Sequence, residues 1–111
     1  MSFYYNYQLK QLNDNIKLFD LKGSVYSAKV VDVYDGDTCT VVFRLNNDFT
    51  KFKVRCLGYD TPEMKPPKDS ENRDKLIDMA IKSRNYFVSR VTNCQIDISK
   101  HYTKKELKNL I

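Results

Sequence analysis

Two short acidic tracts hold the residue types best suited to chemistry: Asp35-Gly36-Asp37-Thr38 and Asp60-Thr61-Pro62-Glu63. Taken separately, each has an ordinary structural meaning. Asp-Gly between strands is a favoured hairpin turn, and Asp-Thr-Pro-Glu is a polar turn ahead of a proline-rich loop. Taken together, they supply carboxylates at two points that a three-stranded meander brings to one sheet end, with Asp37 facing Asp60. Carboxylates held that close repel unless a cation sits between them or one takes up a proton. The chain has a single histidine, His101, and no C-x-x-C pair among Cys39, Cys56 and Cys94. The all-oxygen set therefore suits a hard cation such as Ca²⁺ or Mg²⁺. Arg55 precedes Asp60 by five residues. It reads either as a solvated strand charge beside Lys51 and Lys53, or as a fork that grips a phosphate and holds the charge growing during displacement. Glu63 reads either as a surface residue or as a base that takes a proton from water.

Three strands must position these groups. The β-branched and aromatic run from Val25 to Tyr34 predicts the first, Thr38 to Leu45 the second and Phe49 to Leu57 the third. The third alternates: Thr50, Phe52, Val54 and Cys56 share one face, and Lys51, Lys53 and Arg55 the other. Asn46-Asn47-Asp48 makes the hairpin connection. Pro62, Pro66 and Pro67 forbid regular structure between Gly58 and Asp69. Ser70 is the expected N-cap of a long helix with Leu76, Ile77, Ala80, Ile81, Phe87, Val88 and Val91 on its apolar stripe. Alternating Cys94, Ile96 and Ile98 predict a fourth strand, and Thr103-x-x-Glu106 is a capping box opening a second helix.

The chain has 111 residues, 41% hydrophobic and 30% charged, the balance of one globular domain. Residues 1–22 read as an N-terminal extension, a short amphipathic helix or a loosely attached segment, and 23–111 as the domain. No apolar run is long enough to cross a bilayer, and the start lacks a secretory pattern, so intracellular, cytoplasmic residence is the expectation. An odd set of three cysteines in apolar runs predicts buried free thiols rather than disulfides or a zinc site. A net charge of +5 favours anionic partners.

The sequences VYDGDTCTV and FKVRCLGYDTPEMK, with D-G-D-T, an arginine ending the third strand and then D-T-P-E, resemble the staphylococcal nuclease (thermonuclease) family. Strand, helix and loop order agree from Val25 to about Ser99. The resemblance implies an α+β fold built on a five-stranded OB-type barrel and Ca²⁺-dependent hydrolysis of DNA and RNA phosphodiesters. It implies metal ligation by the carboxylates of Asp37 and Asp60 and the backbone carbonyl of Thr61, with Asp35 an acidic neighbour outside those ligands. Arg55 would pair with the target phosphate and Glu63 would serve as general base.

The family's second catalytic arginine, in a D-K-Y-G-R-like stretch beyond the fourth strand, has no counterpart here, and neither Arg84 nor Arg90 on the long helix is assigned its role. The barrel-closing strand and later helices are also missing, so a partial domain is expected, with weak or no activity. The expected state is a monomer with self-association possible through an open sheet edge. Two other readings stand beside the nuclease: a non-catalytic OB-type module that binds nucleic acid or phosphate, and an interaction domain whose acidic turns are plain surface.

Overall fold

The computed structural model describes residues 2–111. Met1, part of the expected extension, lies outside them. Strands β1 (Lys29–Val33), β2 (Thr38–Leu45) and β3 (Asp48–Arg55) form an antiparallel sheet in the order β1-β2-β3. The β2–β3 connection is tighter than expected: Leu45 pairs with Asp48, leaving a two-residue turn of Asn46 and Asn47 at φ 49° and 72°. Asparagine tolerates that left-handed backbone, and paired positive φ values match the right-handed twist of a hairpin. This turn sets the register for eight consecutive pairs and so places Thr38 opposite Arg55 at the far end.

β1 is shorter than the run Val25–Tyr34. Its pairing shifts between Val30 and Asp32, and Val25 is exposed outside the ladder. Tyr26 stacks instead on the ring of Phe43 at 4.5 Å, and Phe43 on Phe52 at 4.7 Å. Helix α2 (residues 73–91) starts at Arg73 with Asn72 as its cap, at φ 54° and without a side-chain cap bond. Ser70 is not the cap: it lies in the turn that ends the proline loop, its N–H donating to the Pro67 carbonyl, and the helix starts three residues later. Ala80, Ile81, Phe87 and Val88 of the expected stripe are buried, with Arg84 and Asn85 between them.

The fourth strand is not formed. The amide of the fully buried Asn85 donates to the carbonyls of Ile98 at 2.9 Å and Lys100 at 2.7 Å, while Arg84 reaches the Tyr102 carbonyl at 3.1 Å. Helix α2 thus takes the Ile98 carbonyl, which a strand would offer to a neighbour, and two carbonyls just beyond it. Helix α3 (Lys104–Leu110) carries the expected capping box: Thr103 Oγ1 accepts from the Glu106 N–H, and Glu106 accepts from the Thr103 N–H, both at 3.1 Å. It drives Leu107 into the core beside Val33, Cys39, Phe87 and Val88.

The result is an α+β fold with an open three-stranded sheet. All three cysteines are free; Cys39 alone is fully buried, and Cys56 and Cys94 are half-buried, short of the expectation for all three. Helix α1 (Phe3–Gln11), capped by Ser2, buries none of its residues, and Leu18 and Phe19 beyond it are exposed. The extension makes the molecule elongated, 60 × 31 × 26 Å with a radius of gyration of 19.5 Å, against about 13 Å for a compact domain of this length. Among the described residues no helix is long and apolar enough to cross a membrane.

Candidate functional site

The hairpin register brings both acidic tracts to one end of the sheet. One bond continues the ladder past β3: the Cys56 N–H donates to the Asp37 carbonyl at 2.8 Å. Inside the first tract, the Asp37 N–H donates to Asp35 Oδ1 at 3.2 Å and the Thr38 hydroxyl to Asp37 Oδ1 at 2.8 Å. Asp37 is thereby fixed in orientation while almost wholly buried, at 2% exposure. In the second tract Asp60 Oδ1 accepts from the Thr61 N–H at 2.9 Å.

Arg55 spans the two. Its Nε lies 3.5 Å from Asp37 Oδ2, and its Nη2 donates to Asp60 Oδ1 at 3.2 Å. The first contact is charge without a hydrogen bond. All six residues singled out from the sequence, namely Asp35, Asp37, Arg55, Asp60, Thr61 and Glu63, line one open cavity of about 210 Å³ with Tyr34 and Thr38. Glu63 is exposed and engages no hydrogen bond or ion pair among the described residues.

The electrostatics follow from crowding of like charge. Burial and a hydrogen bond shared with Asp37 push the Asp35 carboxyl above its usual value. Burial also pushes Asp37 up, but hydrogen bonds from Asp35 and Thr38 and the charge of Arg55 outweigh it, so Asp37 ends below the usual value. The pair thus divides the labour, Asp37 keeping the charge and Asp35 taking the proton more readily. The charges of Asp37 and Asp60 raise Arg55, which stays protonated.

Two residues that sequence reasoning passed over hold the tracts together. Tyr59 donates its hydroxyl to the Gly36 carbonyl at 3.1 Å, a link between the two turns. Burial, together with the hydrogen bond and charge of Cys56, pushes Tyr59 up to about 12, so it stays a donor. Gly36 is needed for close approach: a Cβ there would run into the Ser83 hydroxyl of α2 and come within 2.7 Å of Thr61 Cγ2. The only signals available in the sequence were the place of Tyr59 beside Asp60 and of Gly36 between two aspartates. Arg84 and Arg90 stay out of the cavity. Arg84 is buried, its basicity lowered by burial, and Arg90 lines a neighbouring pocket with Tyr59 and Tyr86.

A hard cation fits this donor set on one specific ground. Asp37 Oδ2, which has only the Arg55 charge at 3.5 Å, and Thr61 Oγ1 are buried without a hydrogen-bond partner, and buried oxygens so placed are uncommon and costly unless something completes them. Among the described residues no three His, Cys, Asp or Glu side chains gather as a metal-holding group. A cation held by Asp37, Asp60 and the Thr61 carbonyl would complete its shell with water or a substrate oxygen, as hard cations do at phosphoryl sites. Comparison of the chain with protein-family models, with curated proteins and with solved structures finds no match in any of the three.

Proposed function

We propose that this chain carries the phosphate-handling centre of a Ca²⁺-dependent phosphodiester hydrolase acting on DNA or RNA, in a domain of the staphylococcal nuclease kind whose meander is part of an OB-type barrel. The observation that carries the proposal is the convergence of six residues from two separated tracts on one cavity, with Arg55 in reach of both Asp37 and Asp60. The cavity holds four carboxyl groups and one guanidinium, so a phosphate approaching it is repelled unless a cation is present. A bound Ca²⁺ would supply that charge and polarise the phosphoryl oxygen. Asp37 and Asp60 are its proposed carboxylate ligands and Thr61 its carbonyl ligand. Arg55 would turn its fork to a phosphate oxygen and hold the charge that grows there. Glu63, unengaged by any neighbour, would accept a proton from the attacking water. Asp35 would keep Asp37 oriented and charged.

A second reading has its own support. Arg55 is already engaged with both Asp37 and Asp60, and no second arginine lines the cavity among the described residues. That arrangement also suits a module that binds phosphate or nucleic acid without turnover.

The two separate in a cleavage assay. The hydrolase reading expects slow cleavage of single-stranded DNA or RNA that requires Ca²⁺, stops with EDTA and falls by about two orders of magnitude or more in Glu63→Gln, the usual scale for a general base. Ca²⁺-dependent binding without cleavage would move the assignment to the binding module. Cleavage unaffected by EDTA or by the substitution would refute the proposed chemistry.

A further inference from the structure

The cavity uses only one of the cations that β3 carries. Pairing of Val42 with Lys51, Thr40 with Lys53 and Thr38 with Arg55 sets the three cations on one sheet face in steps of two residues. The opposite face supplies Cys39 and Val41 to the core. From Lys51 to Arg55 the strand rises about 13 Å. Lys51 and Lys53, with Lys108 from α3, line a groove of about 460 Å³ floored by Thr40. Asp32 lies in the same groove, which leaves it positive by two charges. Among the described residues none of these lysines has a carboxylate within 4.0 Å; the ion pairs belong to Arg55, Lys82 and His101.

Lysines on an edge strand ordinarily need no further account, since charge there deters pairing with another sheet. Two features exceed that account: Lys108 arrives from a separate helix, and the row runs in line with Arg55 to the acidic cavity. A spacing of two strand residues is also the scale of successive phosphates in an extended nucleic-acid strand. We infer that the outer face of β3 is a track for the phosphate backbone of a single-stranded nucleic acid, which Lys51, Lys53 and Lys108 guide toward Arg55. The inference rests on the phosphodiester chemistry proposed for the cavity and adds the path by which the polymer reaches it. Lysine acts as a point charge and the groove is open, so the track reads charge and not base identity.

The test measures binding of a labelled oligonucleotide of about 12 nucleotides by fluorescence anisotropy in EDTA, where cleavage does not interfere, over a series of salt concentrations. The wild-type chain is compared with K51Q/K53Q/K108Q and with K17Q/K22Q/K75Q, which loses the same charge elsewhere. The groove variant is expected to bind about tenfold or more weakly at low salt. Its salt slope is expected to fall by about 2, from about 0.7 per lost phosphate contact, while the charge-matched variant stays within about twofold of wild type. Equal loss in both variants, no loss in the groove variant, no wild-type binding, or equal lysine-dependent affinity for a duplex would each overturn the inference. A failed hydrolase reading shows separately, as absence of Ca²⁺-dependent cleavage of a dinucleotide too short to reach Lys51.

Discussion

Asp35 and Asp37 occupy one turn and titrate in opposite directions. Burial and the bond shared with its neighbour raise Asp35, whereas Asp35, Thr38 and Arg55 together hold Asp37 down. A carboxyl whose pKa is raised on folding favours the folded state below its unfolded value and loses that contribution as pH rises through the folded value. On that linkage, ionised Asp35 contributes less stability at neutral pH than the protonated form does at low pH. In Asp35→Asn the amide oxygen still accepts the Asp37 N–H and the NH₂ can donate to the Asp37 carboxylate. The variant is expected to melt roughly 2 °C higher at about pH 7, with the gain vanishing at about pH 3, where both states bind the proton. An equal or lower midpoint at neutral pH, read by circular dichroism, would refute this account. That these six residues meet at one cavity was legible because their types and their spacing from strand ends are local properties. Tyr59 and Gly36 were not, because their role is a contact across 23 residues, which no local pattern encodes.

The segment after α2 is held largely through one side chain, Asn85. Alternation of Cys94, Ile96 and Ile98 is a genuine strand pattern, but a strand also needs a neighbouring edge, and Asn85 takes the carbonyls of Ile98 and Lys100. Asn85→Ala removes the donor to those carbonyls and the partner of Arg84, both side chains being buried. The expected cost is about 3 kcal/mol or more, a fall of roughly 10 °C or more in melting temperature. A loss under about 1 kcal/mol in urea titration would show that the segment is held by something other than Asn85. The meander was readable because alternation fixes which face each residue takes, whereas the two-residue Asn46-Asn47 turn that sets the register is tighter than the three-residue connection expected. The start of α2 was not, because its cap, Asn72, makes no side-chain cap bond and sits at φ 54°, which leaves no capping pattern in the sequence. The capping box of α3 was readable, since both of its partners lie within one turn.

At the scale of the whole molecule, a chain of net charge +5 gathers its acids at one sheet end and lines up lysines along the face that leads there. In the proposed reading the field of these charges would draw in a polyanion, which the acidic cavity would then repel. In that reading the repulsion is removed if the cavity holds a cation beside the buried Asp37 Oδ2, which has the Arg55 charge at 3.5 Å but no hydrogen-bond partner, and this is the claim on which the proposed chemistry depends. Calorimetric titration of Ca²⁺ into the wild-type chain and into Asp37→Asn tests it most directly. Expected is a single site with a dissociation constant of about 10⁻⁴ to 10⁻³ M, in the range of weak oxygen-ligand sites, weakened about tenfold or more by the substitution. No binding heat in the wild type, or the same affinity in Asp37→Asn, would contradict it.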